Sequence, residues 1–253
     1  MRVVSWLLTA CLLAASGCAG VAEKPADPIA AAIANPARSD ADRERDLRDH
    51  PQEVLSFAGF HAGMTIADIF GGGGYYSELI AGIVGSTGQV RLINNAAYDS
   101  YSQATRAPRL AGNRLPNVRY EVSPPEAMNL GQTSLDGALI VMSYHDLYVD
   151  APDKSWPAID AGKVLDEIAA ALKPGGVLLI VDHQARAGSG KDDTQALHRI
   201  ESTFAIADFK KHGLAYVGEL AVLRNPDDDH RKNVFDPAIR GKTDRYVQLY
   251  RKP

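Results

Sequence analysis

Two short polar runs interrupt apolar surroundings: Ser143-Tyr144-His145-Asp146 follows Val141-Met142, and Asp182-His183 follows Val177–Val181. A His beside an Asp can accept or deliver a proton near neutral pH, with the carboxylate fixing the ring's tautomer or acting itself. His145 is therefore the candidate general base and Asp146 its orienting partner, while His183 reads as a surface or capping residue. Two His and two Asp could also hold a metal ion. No His-x-x-x-His or Glu-x-x-His spacing supports that reading, and His198 with Glu201 reads as one solvated helix face, so no metal is expected. There is no Gly-x-Ser-x-Gly elbow, and the two cysteines, Cys11 and Cys18, both lie near the start of the chain. The usual hydrolase nucleophiles are absent.

A second constellation lies upstream, in Ile66-Ala67-Asp68-Ile69-Phe70-Gly71-Gly72-Gly73-Gly74-Tyr75-Tyr76-Ser77-Glu78. An apolar run, four glycines and a helical segment follow one another. Glycines at such a junction let the backbone turn sharply and approach a ligand, and the helix N-terminus offers unpaired N–H groups. No Lys-Ser/Thr follows, so the loop is not a phosphate-binding P-loop.

The elements that must position these groups alternate between strand and helix. Thr65–Phe70, Gln89–Asn94, Val118–Glu121, Asp136–Met142 and Val177–Val181 read as strands, and Tyr75–Val84, Ile159–Leu172 and Thr194–Lys211 as helices. Lys173-Pro174-Gly175-Gly176 turns one helix into the next strand. Ala215–Leu223 and Arg245–Arg251 read as two final strands, joined by the loop Arg224–Lys242. The pattern predicts an α/β fold: a Rossmann-like, doubly wound, mostly parallel seven-stranded sheet with a C-terminal antiparallel hairpin. Ligands of such sheets lie at the carboxyl ends of the strands, which is where both polar constellations fall.

The glycine segment resembles motif I of class I S-adenosylmethionine-dependent methyltransferases, Asp/Glu-x-Gly-x-Gly-x-Gly, with Asp68, Gly72 and Gly74 matching and Phe70 standing at the first glycine. The resemblance runs from about Pro51 to Pro253 and includes Leu172-Lys173-Pro174-Gly175-Gly176. Within the superfamily the chain is similar to a group of predicted bacterial methyltransferases of unassigned substrate, marked by Gly72-Gly73-Gly74-Tyr75-Tyr76-Ser77-Glu78, Tyr144-His145-Asp146 and the Arg251-Lys252-Pro253 ending. The resemblance implies S-adenosylmethionine as cofactor. Asp68 and Gly71 to Gly74 would hold its methionine end, Asn94 and Asn95 would stand where most members place an acidic ribose contact, Glu126 would approach the adenine, and Ser143 would flank the cofactor. Methyl transfer to a small or envelope-associated acceptor is the implied activity, with His145 and Asp146 as the catalytic pair. A non-catalytic ligand-binding protein on the same scaffold is the alternative.

The chain opens with Met1-Arg2, an apolar run to Ala15, and Ala15-Ser16-Gly17-Cys18. This is a signal-peptide layout, too short to span a bilayer, and its end resembles a lipoprotein lipobox with Cys18 as the acylated residue. Residues 1–17 are thus expected to be removed, 18–42 to form a flexible tether and 43–253 the methyltransferase-like domain, lipid-anchored at the periplasmic face of a bacterial envelope. At 253 residues, 45% hydrophobic and 23% charged, the chain can bury a sizeable core. Its formal charge of −4 and lack of basic clusters exclude a nucleic-acid partner.

Overall fold

The computed structural model describes residues 27–151 and 156–253; the lipobox and Cys18 lie outside them. Seven strands form one sheet: β1 (Thr65–Ile69), β2 (Gln89–Asn94), β3 (Val118–Val122), β4 (Leu135–Val141), β5 (Leu172–His183), β6 (Ala215–Leu220) and β7 (Arg245–Arg251), in the order β3-β2-β1-β4-β5-β7-β6. The first five are parallel, whereas β7 runs antiparallel to β5 and β6 antiparallel to β7. Continuous apolar runs such as Ala138-Leu139-Ile140 suit strands buried on both faces. Ile140 and Ile69 point into one apolar cluster with Ile168, Phe209 and Tyr250, while Leu139 and Ile66 enter the other with Leu79, Ile80 and Val247. Ile69 is level with both Ile93 and Ile140, and Val141 is level with Val181. The residues that follow β1, β2, β4 and β5 therefore meet along a single edge.

Helices α4 (Tyr75–Val84), α5 (Ala96–Leu110) and α6 (Ala161–Ala171) follow β1, β2 and β4. The long helix expected over Thr194–Lys211 is instead broken into α7 (Thr194–Leu197) and α8 (Ser202–Lys211). His198 turns left-handed at φ 53°, and Arg199, fully buried, bonds Asp228 through both terminal nitrogens and also reaches Gln184 O and Lys232 O. Ile200 then bridges to Gln184. The break is where this buried guanidinium is matched by a carboxylate and two carbonyls, as a buried charge must be.

Part of the stretch expected as tether, 18–42, is helical. Pro28–Ile33 is a helix, α1, capped by Asp27 and seated in the core through Ile29 and Ala32. Asp40–Asp49 is a second, α2, capped by Ser39, and α3 (Pro51–Ala58) follows. The caps, with Pro28 at the first helical position, are the local signals that override an Ala/Pro/Asp-rich composition. Among the described residues no helix is long and apolar enough to cross a membrane.

Candidate functional site at the carboxyl edge of the sheet

Along the β1–β2 half of the edge, the glycine loop is bound by its own chain. Asp68 lies beneath it, 1% exposed, accepting a hydrogen bond from Ser77 Oγ at 2.6 Å. Burial pushes its carboxyl up to about 6 against the Ser77 bond, which pulls the other way. A Cβ on Gly71 would stand 2.4 Å from the Asp68 carboxylate, and one on Gly73 would stand 2.3 Å from Thr105 Oγ1 of α5. Glycine is required here because the loop is packed from below and above. Asp68 thus orders the loop rather than meeting a ligand.

Asn94 is wholly buried: its Oδ1 accepts from Gly72 N at 2.9 Å and its Nδ2 donates to Gly72 O at 3.0 Å. Asn95 caps α5, accepting from Tyr98 N at 2.9 Å. Glu126 accepts from the backbone N–H of Asp160 at 2.9 Å, at the start of α6, and buried Ser143 donates to Val141 O at 3.4 Å. Each of these side chains is thus engaged by its own backbone, with Asn94 and Ser143 buried and Glu126 partly exposed.

A side chain outside the expected set closes it. Tyr98, on the first turn of α5, donates its hydroxyl to Asp146 Oδ2 at 2.7 Å. Because β1 lies between β2 and β4, a bond from the segment after β2 to the segment after β4 must cross the carboxyl end of β1. Phe70, the residue after β1, stacks on Tyr98 at 5.7 Å, and Trp156 meets its ring edge-on at 5.4 Å while donating Nε1 to Asp146 O at 3.1 Å. From outside, α2 tightens the same loop: Arg109 bonds Asp42 with both terminal nitrogens at 2.9 Å, Glu78, and Gly73 O at 2.7 Å. Tyr75 donates to Asp46 at 2.5 Å. The residues fit S-adenosylmethionine in part: Gly71 to Gly73 and Glu126 keep partial exposure at the edge and would be free to meet it, while Asn94 is taken up by Gly72 and the Tyr98 hydroxyl crosses to Asp146.

Along the β4–β5 half, charge gathers. His145 is 3% exposed, with Nδ1 2.7 Å from Asp182 Oδ1 and Nε2 3.3 Å from Asp146 Oδ1. Asp182, fully buried, also accepts from the backbone N–H of His145 and of His183. Burial favours the neutral ring, but Asp146 and Asp182 together outweigh it and hold His145 well above its ordinary value. Both ring nitrogens of His145 face carboxylates in this arrangement. Asp146 is held far below the usual carboxylate range: burial opposes this, and His145, His198 and Tyr98 overcome it. His183, 5.9 Å from His145 between ring centres, bonds Thr243 Oγ1 and is kept neutral by burial and by the neighbouring cations.

The third imidazole is His198, which the sequence places on a solvated helix face. The break between α7 and α8 turns it inward, with Nδ1 3.5 Å from Asp146 Oδ1 and its ring edge-on to His145 at 5.4 Å. Its Nδ1 is buried and has no hydrogen-bond partner among the described residues. Helical periodicity does not reveal the left-handed turn that aims it.

No family model matches the sequence, and no curated protein matches it. Solved structures do share the fold. A SAM dependent methyltransferase from Aquifex aeolicus superposes with a TM-score of 0.58 at 18% identity, over 84% of this chain and 98% of that one. The arsenic(III) S-adenosylmethionine methyltransferase CrArsM from Chlamydomonas reinhardtii gives 0.55 at 16%, over 90% and 74%. The (4+2)-cyclase SpnF gives 0.58 at 15%, over 84% and 82%. The expected Rossmann-like methyltransferase fold, with its antiparallel C-terminal strands, is the fold observed. A cyclase among the neighbours illustrates that this scaffold does not fix the reaction.

Proposed function

We propose that the chain uses the methyltransferase scaffold without its cofactor, as a ligand-binding protein carried on a bacterial envelope through Cys18. The observation that carries this reading is the path of Tyr98 to Asp146 across the end of β1, above a glycine loop whose Gly72 is already paired by Asn94. Export would also remove the protein from the cytoplasm, where S-adenosylmethionine is made. The binding surface on this reading is the histidine half of the edge, where polar capacity is left over.

A second reading, methyl transfer from S-adenosylmethionine to a small or envelope-associated acceptor, is favoured by the Gly71–Gly74 run and by the neighbours' fold. It requires Tyr98 to leave Asp146. Calorimetry of the full chain in detergent separates the two. No heat above buffer is expected from S-adenosylmethionine at near-millimolar concentration, and saturable binding below that level would return the protein to the second reading. Fractionation addresses the anchor: the protein should travel with membranes and incorporate labelled fatty acid, and Cys18→Ser should abolish both.

A further inference from the structure

We propose that His145 Nε2, Asp146 Oδ1 and His198 Nδ1 form a binding site for a divalent first-row transition ion, with zinc as the simplest occupant. This inference does not depend on whether S-adenosylmethionine binds, because Tyr98 engages the other oxygen of Asp146.

The spacing carries the first part of the case. Ligand atoms at about 2.0–2.1 Å from a tetrahedral zinc stand about 3.3–3.4 Å from one another. Here the carboxylate oxygen is 3.3 Å from the His145 nitrogen and 3.5 Å from the His198 nitrogen, and all three atoms lie within 4.8 Å of one another. Two imidazoles and one carboxylate leave one tetrahedral position open for water or an incoming ligand atom.

The second part is what lies behind the three atoms. A ligating His characteristically donates its other ring N–H to a carboxylate, which fixes the tautomer and aims the lone pair at the metal. Asp182 stands in that relation to His145, 2.7 Å from Nδ1 and itself completely buried. His198 presents a buried Nδ1 with no hydrogen-bond partner among the described residues, a state that ordinarily costs free energy unless something completes it. His198 is the outermost of the three, 25% exposed at its side chain, with the half-exposed ring of Phe235 edge-on to it at 4.9 Å.

His183 supplies an internal control. Its ring is close to His145, yet its Nδ1 is engaged by Thr243, and it does not belong to the cluster.

The test uses the full, untagged chain in detergent, stripped with a chelator and dialysed against micromolar zinc or cobalt. One zinc per chain is expected by elemental analysis, and the cobalt form should show visible d–d absorption of a low-coordinate site. His198→Asn keeps a residue type that tolerates the left-handed backbone and should weaken binding by at least roughly a hundredfold, while Asp182→Asn should weaken it by about 10–100-fold. His183→Asn should bind as the wild type does, and circular dichroism reports on folding in each case. A wild-type chain that holds only a trace of zinc and gives a featureless cobalt spectrum would overturn the site. So would a folded His198→Asn variant that still binds a full equivalent at wild-type affinity.

Discussion

The two halves of one sheet edge handle polarity in opposite ways. At the glycine half, Gly72 finds both of its backbone partners in the Asn94 amide, and the acid Asp68 is shifted by burial toward its neutral form. At the histidine half, Asp182, His145, Asp146 and His198 follow one another as a line of charged or chargeable groups that ends on a nitrogen with no hydrogen-bond partner among the described residues. The difference between them is saturation. A polar region whose hydrogen-bonding capacity is filled by its own chain is architecture, whereas one with capacity left over can bind. Among the described residues, the unfilled capacity lies toward β4 and β5.

The histidine half should be the more fragile of the two. Replacing Asp182 by Ala leaves the buried His145 without the carboxylate that accepts from both its ring and its backbone, and the expected loss is about 3 kcal/mol of folding free energy, the lower end for breaking a buried ion pair. Urea denaturation of the two proteins measures it. A loss below 1 kcal/mol would mean that the line of charges is not what holds this half together.

The glycine half should reveal itself through pH. In the folded chain the Asp68 carboxyl sits near 6, against 3.8 for an unperturbed group, so the native state binds that proton more tightly than the unfolded state. The stabilisation is complete below about pH 4 and is lost as pH rises through 6, a span of roughly 3 kcal/mol at most. Asp49 works in the other direction: Arg45 and Arg245 hold it low despite its burial, so its contribution fades only in stronger acid. Denaturation midpoints for the wild type and Asp68→Asn, compared across pH 4 to 6.5, should therefore diverge steadily. Parallel curves would show that Asp68 does not carry the effect.

The smallest effect belongs to the link between the halves. Tyr98→Phe removes the hydroxyl that reaches Asp146 but keeps the ring on Phe70, and about 1 kcal/mol of stability should go with it. Zinc affinity should remain within a few-fold of wild type, because the oxygen assigned to the ion is the other one. A large fall in zinc binding would instead tie Tyr98 into the histidine half.

Strands β1, β2 and β4 and helix α4 were legible because their apolar residues are what they bury: Ile66, Ile69, Leu92-Ile93 and Ala138 to Ile140 announce themselves. Helix α5 did not, since its buried positions are Ser102, Arg106 and Arg109, and a helix that buries polar groups gives hydrophobic periodicity nothing to show. The same holds for α2, which buries Asp42 and Asp49. At the site, residue types were readable but their direction was not. Asn94 could equally have faced a ribose or the loop, and only the positions of Gly72 and α5 decide for the loop. His198 was hidden by a single left-handed residue inside what otherwise reads as one helix.

The bonds that close the glycine half also set a population. Opening the crevice means breaking the two bonds between Asn94 and Gly72 and the one from Tyr98 to Asp146, each worth about 1 kcal/mol net. An open form about 3 kcal/mol above the closed one is present in fewer than about one molecule in a hundred. Any ligand suited to the open form is then bound roughly a hundredfold more weakly than its contacts alone would give. A compound that fits the opened crevice at the micromolar level would register at about a tenth of a millimolar, and trimming Tyr98 should tighten its binding without adding a single contact.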